Sequence, residues 1–358
     1  MKLLIVVPSF RLIGGISLHF MALDRYWQSQ VHYSTQGKRP HMPAALCLLS
    51  DYVTYVVKLL WYSPDVVIIN PPFYPYPVVR EVLHLLIARM LGRKVVCMFH
   101  ECDDRYYAQQ VKRPNWFVRQ FNRCEKIFVL GTGFKARLRQ LGIDVPIVQT
   151  STVVDDALIK GYDVATRRSE IRDLLFLARM DKGKGIFETL ETFRLLKKTH
   201  PHLRLHICGT GLASLEKEVR EYVKDNHITD VNFHGRVVGQ KKVNAFAHAD
   251  LYILPSYAEG MPTSVLEAMA FGLPIITRPV GGVPDFFEDG KMGYLVDSLD
   301  PHDFADKIDI LLHDASLCSH IARYNAHYAR THFLASMVTR RMEDEIRNTI
   351  YGNRKSKY

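Results

Sequence analysis

The run SYAEGMPTSVLEAMAFGLPII (256–276) sets two acids either side of a Gly-Met-Pro turn, Glu259 in a loop and Glu267 beyond a helix start. Carboxylates so placed can serve the helix or grip one ligand together. The helix reading is specific: Ser264-x-x-Glu267 has capping-box spacing, with Glu267 reaching back to the Ser264 amide. It explains Glu267 and leaves Glu259, Gly260 and Pro262 without a task. Gly260 lets a backbone approach something closely, and amides at a helix start suit phosphate.

Three more groups of residues could act with them. Arg179-Met-Asp-Lys-Gly-Lys184-Gly185 follows a strand, and its two cations can close on a diphosphate, Arg179 as a planar fork and Lys184 as a point charge. A solvated turn before a helix is the plainer alternative. Gly14-Gly15 also follows a strand and opens a helix, offering backbone N–H groups to phosphate, although a glycine pair alone is a weak signal. His100 ends another strand, either as a site residue or as an ordinary loop histidine. Gly209-Thr-Gly211 reads as a tight strand–helix turn bordering the site. Asp103 and Asp104 lack an organised set of companion ligands, so no metal is expected. No Walker loop, H-E-x-x-H, G-x-S-x-G or Cys-His nucleophile pattern is present.

The elements that must position these residues follow from the apolar runs. Strands are expected at 2–7, 65–70, 94–99 and 126–130, with a helix at 76–91. Continuous apolar runs without strict alternation suit strands covered on both faces. After the polar stretch 155–172 the pattern restarts, with strands at 174–178, 203–208, 250–255 and 273–277. Strand–helix alternation of this kind predicts α/β architecture: two doubly wound Rossmann-like domains facing a central cleft, with ligands at the C-terminal strand ends. The expected domains are 1–160 and 161–335, with 336–358 as a charged amphipathic helix that packs back on the first.

At 358 residues, with 47% hydrophobic and 23% charged residues, two globular domains fit and disordered or fibrous classes do not. The six cysteines include no C-x-x-C pair and suit buried thiols in a reducing cytosol. The opening MKLLIVVPSF reads as a first strand, and no window of about 18 uncharged apolar residues suggests a membrane span. The net charge of +10 lies wholly in the first half: residues 1–150 hold 19 Lys and Arg against 9 Asp and Glu. Such a basic half points to an anionic surface or to simple solubility. The segment 112–123 mixes bases with Trp116, Phe117 and Phe121, as an interfacial helix would, or as a helix with a core face.

Taken together, these residues resemble the retaining glycosyltransferases of family 4, whose two-Rossmann-domain architecture is called GT-B. The likeness runs through most of the chain and is strongest from 174 to 296, with Glu259-x7-Glu267 as the family's acid pair. It implies that Arg179 and Lys184 clamp the donor diphosphate. Glu259 would hold donor-sugar hydroxyls and Glu267 the ribose. Gly260 and the amides of Met261, Thr263 and Ser264 would cradle sugar and phosphates. Gly14, Gly15 and His100 would reach the donor from the first domain, and Val237, ending the stretch 231–237, would meet the nucleotide base with Gly209 nearby. The resemblance further implies a nucleotide-sugar donor, by impression a UDP-sugar, as substrate, with no cofactor or metal. A saccharide or lipid-linked acceptor, surface glycan synthesis and a cytoplasmic protein peripheral at the inner membrane face complete it, with anionic lipid and no nucleic acid as partner. The rival readings are an NAD-linked oxidoreductase, which lacks its glycine fingerprint, a sugar-nucleotide epimerase of the same fold, and a non-enzymatic basic binding module.

Overall fold

The computed structural model describes residues 1–11, 14–40 and 42–352, and the chain divides into two compact units. The first comprises Met1–Val153 and the chain from Ala335 onward; the second is Val154–Leu334. The division thus falls at 153/154 instead of 160, and the closing helix Ala335–Tyr351 belongs to the first unit. Glu343 on that helix accepts from the Gln28 and Ser29 amides at 3.0 and 2.7 Å, and Glu345 pairs with Lys126.

The first unit is built on a six-stranded sheet: β1 (Lys2–Pro8), β2 (Gln30–Gln36), β3 (Val66–Ile69), β4 (Lys94–Phe99), β5 (Lys126–Val129) and β6 (Ile147–Gln149). Their order is β2-β1-β3-β4-β5-β6 and every pairing is parallel. β3 and β5 are buried at every position, as strands covered on both faces must be. Phe73, Phe99, Phe117, Phe121 and Phe134 form one aromatic cluster in this core, with Phe117 and Phe121 wholly buried. That burial corrects the interfacial reading of 112–123. The helix Asn115–Phe121 spends its rings on the core, leaving only Trp116 substantially exposed.

The second unit repeats the plan with β7 (Asp173–Leu177), β8 (Arg204–Cys208), β9 (Val231–Gly235), β10 (Leu251–Leu254), β11 (Ile275–Thr277) and β12 (Gly293–Leu295). The order is β12-β11-β10-β7-β8-β9, again all parallel. Successive strands run outward from β7 through β9, and the chain then returns to place β10 on the other side of β7. Strand order therefore reverses between β7 and β10, the place at which open α/β sheets generally bind ligands, at the C-terminal strand ends. In the first unit the same reversal lies between β1 and β3. Of the six free cysteines, all but Cys102 are buried.

Candidate functional site

The loop after β7 carries Lys184 and the loop after β10 carries Glu259, so both acids and bases of interest rise beside the strand-order reversal. Lys184 Nζ donates to Glu259 Oε1 at 2.7 Å, and both side chains are largely covered. Backbone contacts hold the two loops together. The Tyr257 amide donates to the Gly183 carbonyl at 2.9 Å, and Tyr257 Oη lies 2.6 Å from Glu188 Oε1. Gly185 has φ +75°, and a Cβ there would stand 2.3 Å from the Pro255 carbonyl oxygen, so only glycine permits this approach. A third loop closes on the same place: the Gly282 amide donates to the Gly260 carbonyl at 2.7 Å. Gly281-Gly282, after β11, was not among the residues singled out from sequence.

Glu267 corrects the capping-box reading. The helix Thr263–Ala270 starts one residue before Ser264, has Pro262 at its cap position and no side-chain cap. Ser264 Oγ lies 2.6 Å from the buried Tyr252 hydroxyl, which also donates to the Leu177 carbonyl at 2.9 Å. Glu267 instead accepts from Lys242 Nζ at 2.6 Å. The carboxylate is buried, and burial raises its pKa while Lys242 opposes that rise. Lys242 sits in the first turn of the helix Gln240–His248, beside Lys241, and nothing in the local text distinguishes the two lysines.

A capping carboxylate on a surface would be replaceable; a buried one facing a lysine is not. Glu267→Gln leaves the Lys242 charge without its counter-charge and should destabilise the protein by about 1–3 kcal/mol, discounted because Lys242 keeps some exposure. Adding Lys242→Met should recover part of that loss in urea unfolding. Equal stability of Glu267→Gln and the parent would contradict the pairing.

Arg179 stands apart from this cluster. Its side chain is 72% exposed and its ion pair is with Asp181 at 3.6 Å. The structure therefore brings Lys184 to Glu259 without bringing Arg179 to Lys184. Gly260 is half-buried, Met261 buried, and Thr263 begins the helix. Val237 follows β9 at the same sheet edge. Gly209 is explained by the protein's own backbone, since a Cβ there would meet the Ala178 carbonyl oxygen at 1.8 Å.

In the first unit His100, Asn70 and His19 gather near the reversal between β1 and β3. Asn70 Nδ2 donates to the Val6 carbonyl at 2.9 Å, which turns its Oδ1 toward His100 Nε2 at 3.0 Å. His100 therefore carries its proton on Nε2 and presents Nδ1 as an acceptor. Burial, then the neighbouring His19, hold its pKa well below the usual histidine range, so the ring is neutral. Burial likewise lowers His19 to about 4, and neither of its ring nitrogens has a partner among the described residues. Gly14 caps the helix Gly15–Leu23 in extended conformation with open space around both glycines, so the fold itself does not demand glycine at either.

Among the described residues one other group could close on a cation: His200, Asp309 and His313, with His200 Nε2 at 2.8 Å from Asp309 Oδ1. His200 follows the end of the helix Ile186–Leu196 and precedes β8, at the opposite edge of the sheet from Lys184 and Glu259, while Asp309 and His313 lie on the helix Pro301–His313.

Comparison with known proteins bears on the family and the fold. Residues 164–328 match the family model described as glycosyl transferases group 1. The chain is 27% identical over 201 residues to a D-inositol 3-phosphate glycosyltransferase of Paenarthrobacter aurescens, covering 55% of this chain and 49% of that protein. It is 23% identical over 295 residues to the sulfoquinovosyl transferase SQD2 of Arabidopsis thaliana, covering 76% and 54%. The chain spans about half the length of the curated relatives it matches. Among solved structures, Anabaena Alr3699/HepE in complex with UDP superposes with TM-score 0.74 at 16% identity, covering 97% of this chain and 99% of that one. Sucrose-phosphate synthase of Thermosynechococcus elongatus gives 0.72 at 16%, covering 98% and 99%. The fold is that of these GT-B proteins.

Proposed function

From the match of residues 164–328 to the glycosyl transferases group 1 model, we propose that this chain is a retaining glycosyltransferase. It moves sugar from a nucleotide-sugar donor, a UDP-sugar, to a saccharide or lipid-linked acceptor in glycan synthesis. One observation carries the reading: Lys184 and Glu259, 75 positions apart, meet at 2.7 Å beside the strand reversal of the second sheet. A cation there neutralises charge as the bond to the leaving diphosphate breaks. Glu259 holds Lys184 in place; with donor bound, the same lysine is shared with phosphate while Glu259 accepts sugar hydroxyls.

Arg179, whose ion pair among the described residues is with Asp181 at 3.6 Å, is exposed enough to swing onto the diphosphate. The start of the helix Thr263–Ala270, without a side-chain cap, offers the Thr263 and Ser264 amides to the donor, with Met261 and Gly260 beside them. Pro262 has no N–H to give. Glu267, held by Lys242, faces the ribose hydroxyls. In the first unit His100, being neutral, offers a hydrogen bond and no charge. The UDP assignment is supported by similar folds solved with UDP. Lys184 and Arg179 do the work of a divalent cation, so chelation should leave transfer unchanged.

The test is a panel of sugar nucleotides followed by thermal unfolding. Uridine diphosphate sugars should raise the midpoint, and UDP should be released only when an acceptor is supplied. A midpoint raised by dinucleotide and by no sugar nucleotide would refute the reading.

A further inference from the structure

Away from Lys184 and Glu259, the second unit gathers His200, Asp309 and His313, one ligand atom from each lying within 4.8 Å of the others. His200 Nε2 is 2.8 Å from Asp309 Oδ1, and His313 Nδ1 is 3.4 Å from Asp309 Oδ2. One carboxylate thus stands between two imidazoles. Its ion pairs among the described residues are with these histidines and with no lysine or arginine. Other carboxylates of the same unit do meet strong cations: Asp173 pairs with Arg168 and Arg204, and Asp230 with Lys197.

The fold fixes each member of the group. Asp309 and His313 stand four positions apart on the helix Pro301–His313, a spacing that puts two side chains on one face and lets them chelate one ion. His313 Nδ1 also lies 2.8 Å from the Asp309 carbonyl, so its ring is turned back toward Asp309. His200 sits on the turn between the helix Ile186–Leu196 and β8. Its amide donates to the Leu196 carbonyl at 2.8 Å, and its own carbonyl accepts from the Leu203 amide at 3.2 Å. The ring centres of His200 and His313 are 5.6 Å apart. Two imidazoles on one tetrahedral zinc, with Zn–N of about 2.0–2.1 Å, have centres roughly 5 Å apart. A small rotation of His313, 67% exposed, closes that difference. His202 adds a third imidazole nearby, its ring 6.0 Å from that of His200.

The surrounding backbone also favours a cation. The helix Ile186–Leu196 ends four residues before His200, and His313 is the last residue of its own helix. Helix C-termini carry partial negative charge, and a cation within the last turn is stabilised by it. The ligand types select the ion: two imidazoles and a carboxylate suit zinc and its neighbours, whereas magnesium and calcium take oxygen.

We propose that His200, Asp309 and His313 hold a divalent transition cation of the zinc class, which ties the turn 197–203 to the helix Pro301–His313. The ring nitrogen of His200 that meets Asp309 gives up its proton as the ion binds. This departs from the expectation of no metal, because His200 and Asp309 are 109 positions apart and no local spacing joins them. The group lies at the other edge of the sheet from Lys184 and Glu259. The inference therefore does not depend on the sugar-transfer reading.

Zinc titrated into the metal-free full chain, in competition with a chromophoric chelator, tests it. One equivalent should bind, and zinc at a hundredfold excess over its Kd should raise the thermal midpoint by about 5 °C or more. Magnesium should do neither. His313→Gln, at an exposed position, should weaken zinc binding at least tenfold while its midpoint without metal stays unchanged. Asp309→Asn should weaken zinc binding to a similar extent. His327→Gln, at an exposed histidine on the following helix Ala315–His332, should bind zinc like the parent. No zinc bound by the parent, or parent-like binding by both His313→Gln and Asp309→Asn, overturns the proposal. So does an equal loss in His327→Gln, since scattered surface histidines would then be taking up the ion.

Discussion

Lys184→Ala is expected to lower sugar transfer by about a hundred- to a thousandfold, the range seen when a preorganised group facing developing charge is removed. The second unit should remain folded, because Lys184 is a loop residue whose side chain meets only Glu259 in the contacts described. Turnover should fall more than donor affinity, since charge on the leaving diphosphate grows as the bond breaks. Glu259→Gln removes a hydroxyl acceptor and the lysine's anchor together. Single and double variants should therefore be non-additive, the double costing little more than Lys184→Ala alone. Full additivity, or normal turnover in Lys184→Ala, would show that the pair at 2.7 Å is a surface ion pair and no more.

Gly185→Ala should damage stability and turnover at once. At φ +75° alanine is strained, and its Cβ would lie 2.3 Å from the Pro255 carbonyl oxygen and 2.7 Å from the carbonyl carbon. Neither atom is the end of a flexible side chain, so backbone must move. The cost should be about 2–4 kcal/mol, a drop of roughly 5–10 °C in the second unit's midpoint. The displaced loop is the one that aims Lys184, so turnover measured well below the midpoint should fall too. Gly14→Ala is the contrast: extended backbone and open space predict an unchanged midpoint. If Gly185→Ala melted like the parent, the close approach of the two loops would be wrong.

Much of this architecture was legible in the residues. The eight strands expected from apolar runs are β1, β3, β4, β5, β7, β8, β10 and β11, the interior strands of the two sheets. The four that were missed, β2, β6, β9 and β12, are the four edges. An interior strand has neighbours on both sides and cover on both faces, so its sequence must be almost continuously apolar. An edge strand has one neighbour and more water; QVHYSTQ in β2 and VNFHG in β9 keep polar residues and leave no such run.

The residue types at the site, acids after β10, a lysine after β7 and glycines where backbones cross, were likewise set along the chain, because local turn geometry and burial demand them. Tertiary structure alone decided the partners. Ser264-x-x-Glu267 has a local explanation on paper, yet Glu267 turns to Lys242, 25 positions away, and Ser264 to Tyr252. Lys184 meets Glu259 while Arg179 remains with Asp181. Aromatics at 117 and 121 go to the core, and leucines and valines of 46–60 go outward. In each case the choice depends on which elements lie side by side, and strand order and register, not local spacing, determine that.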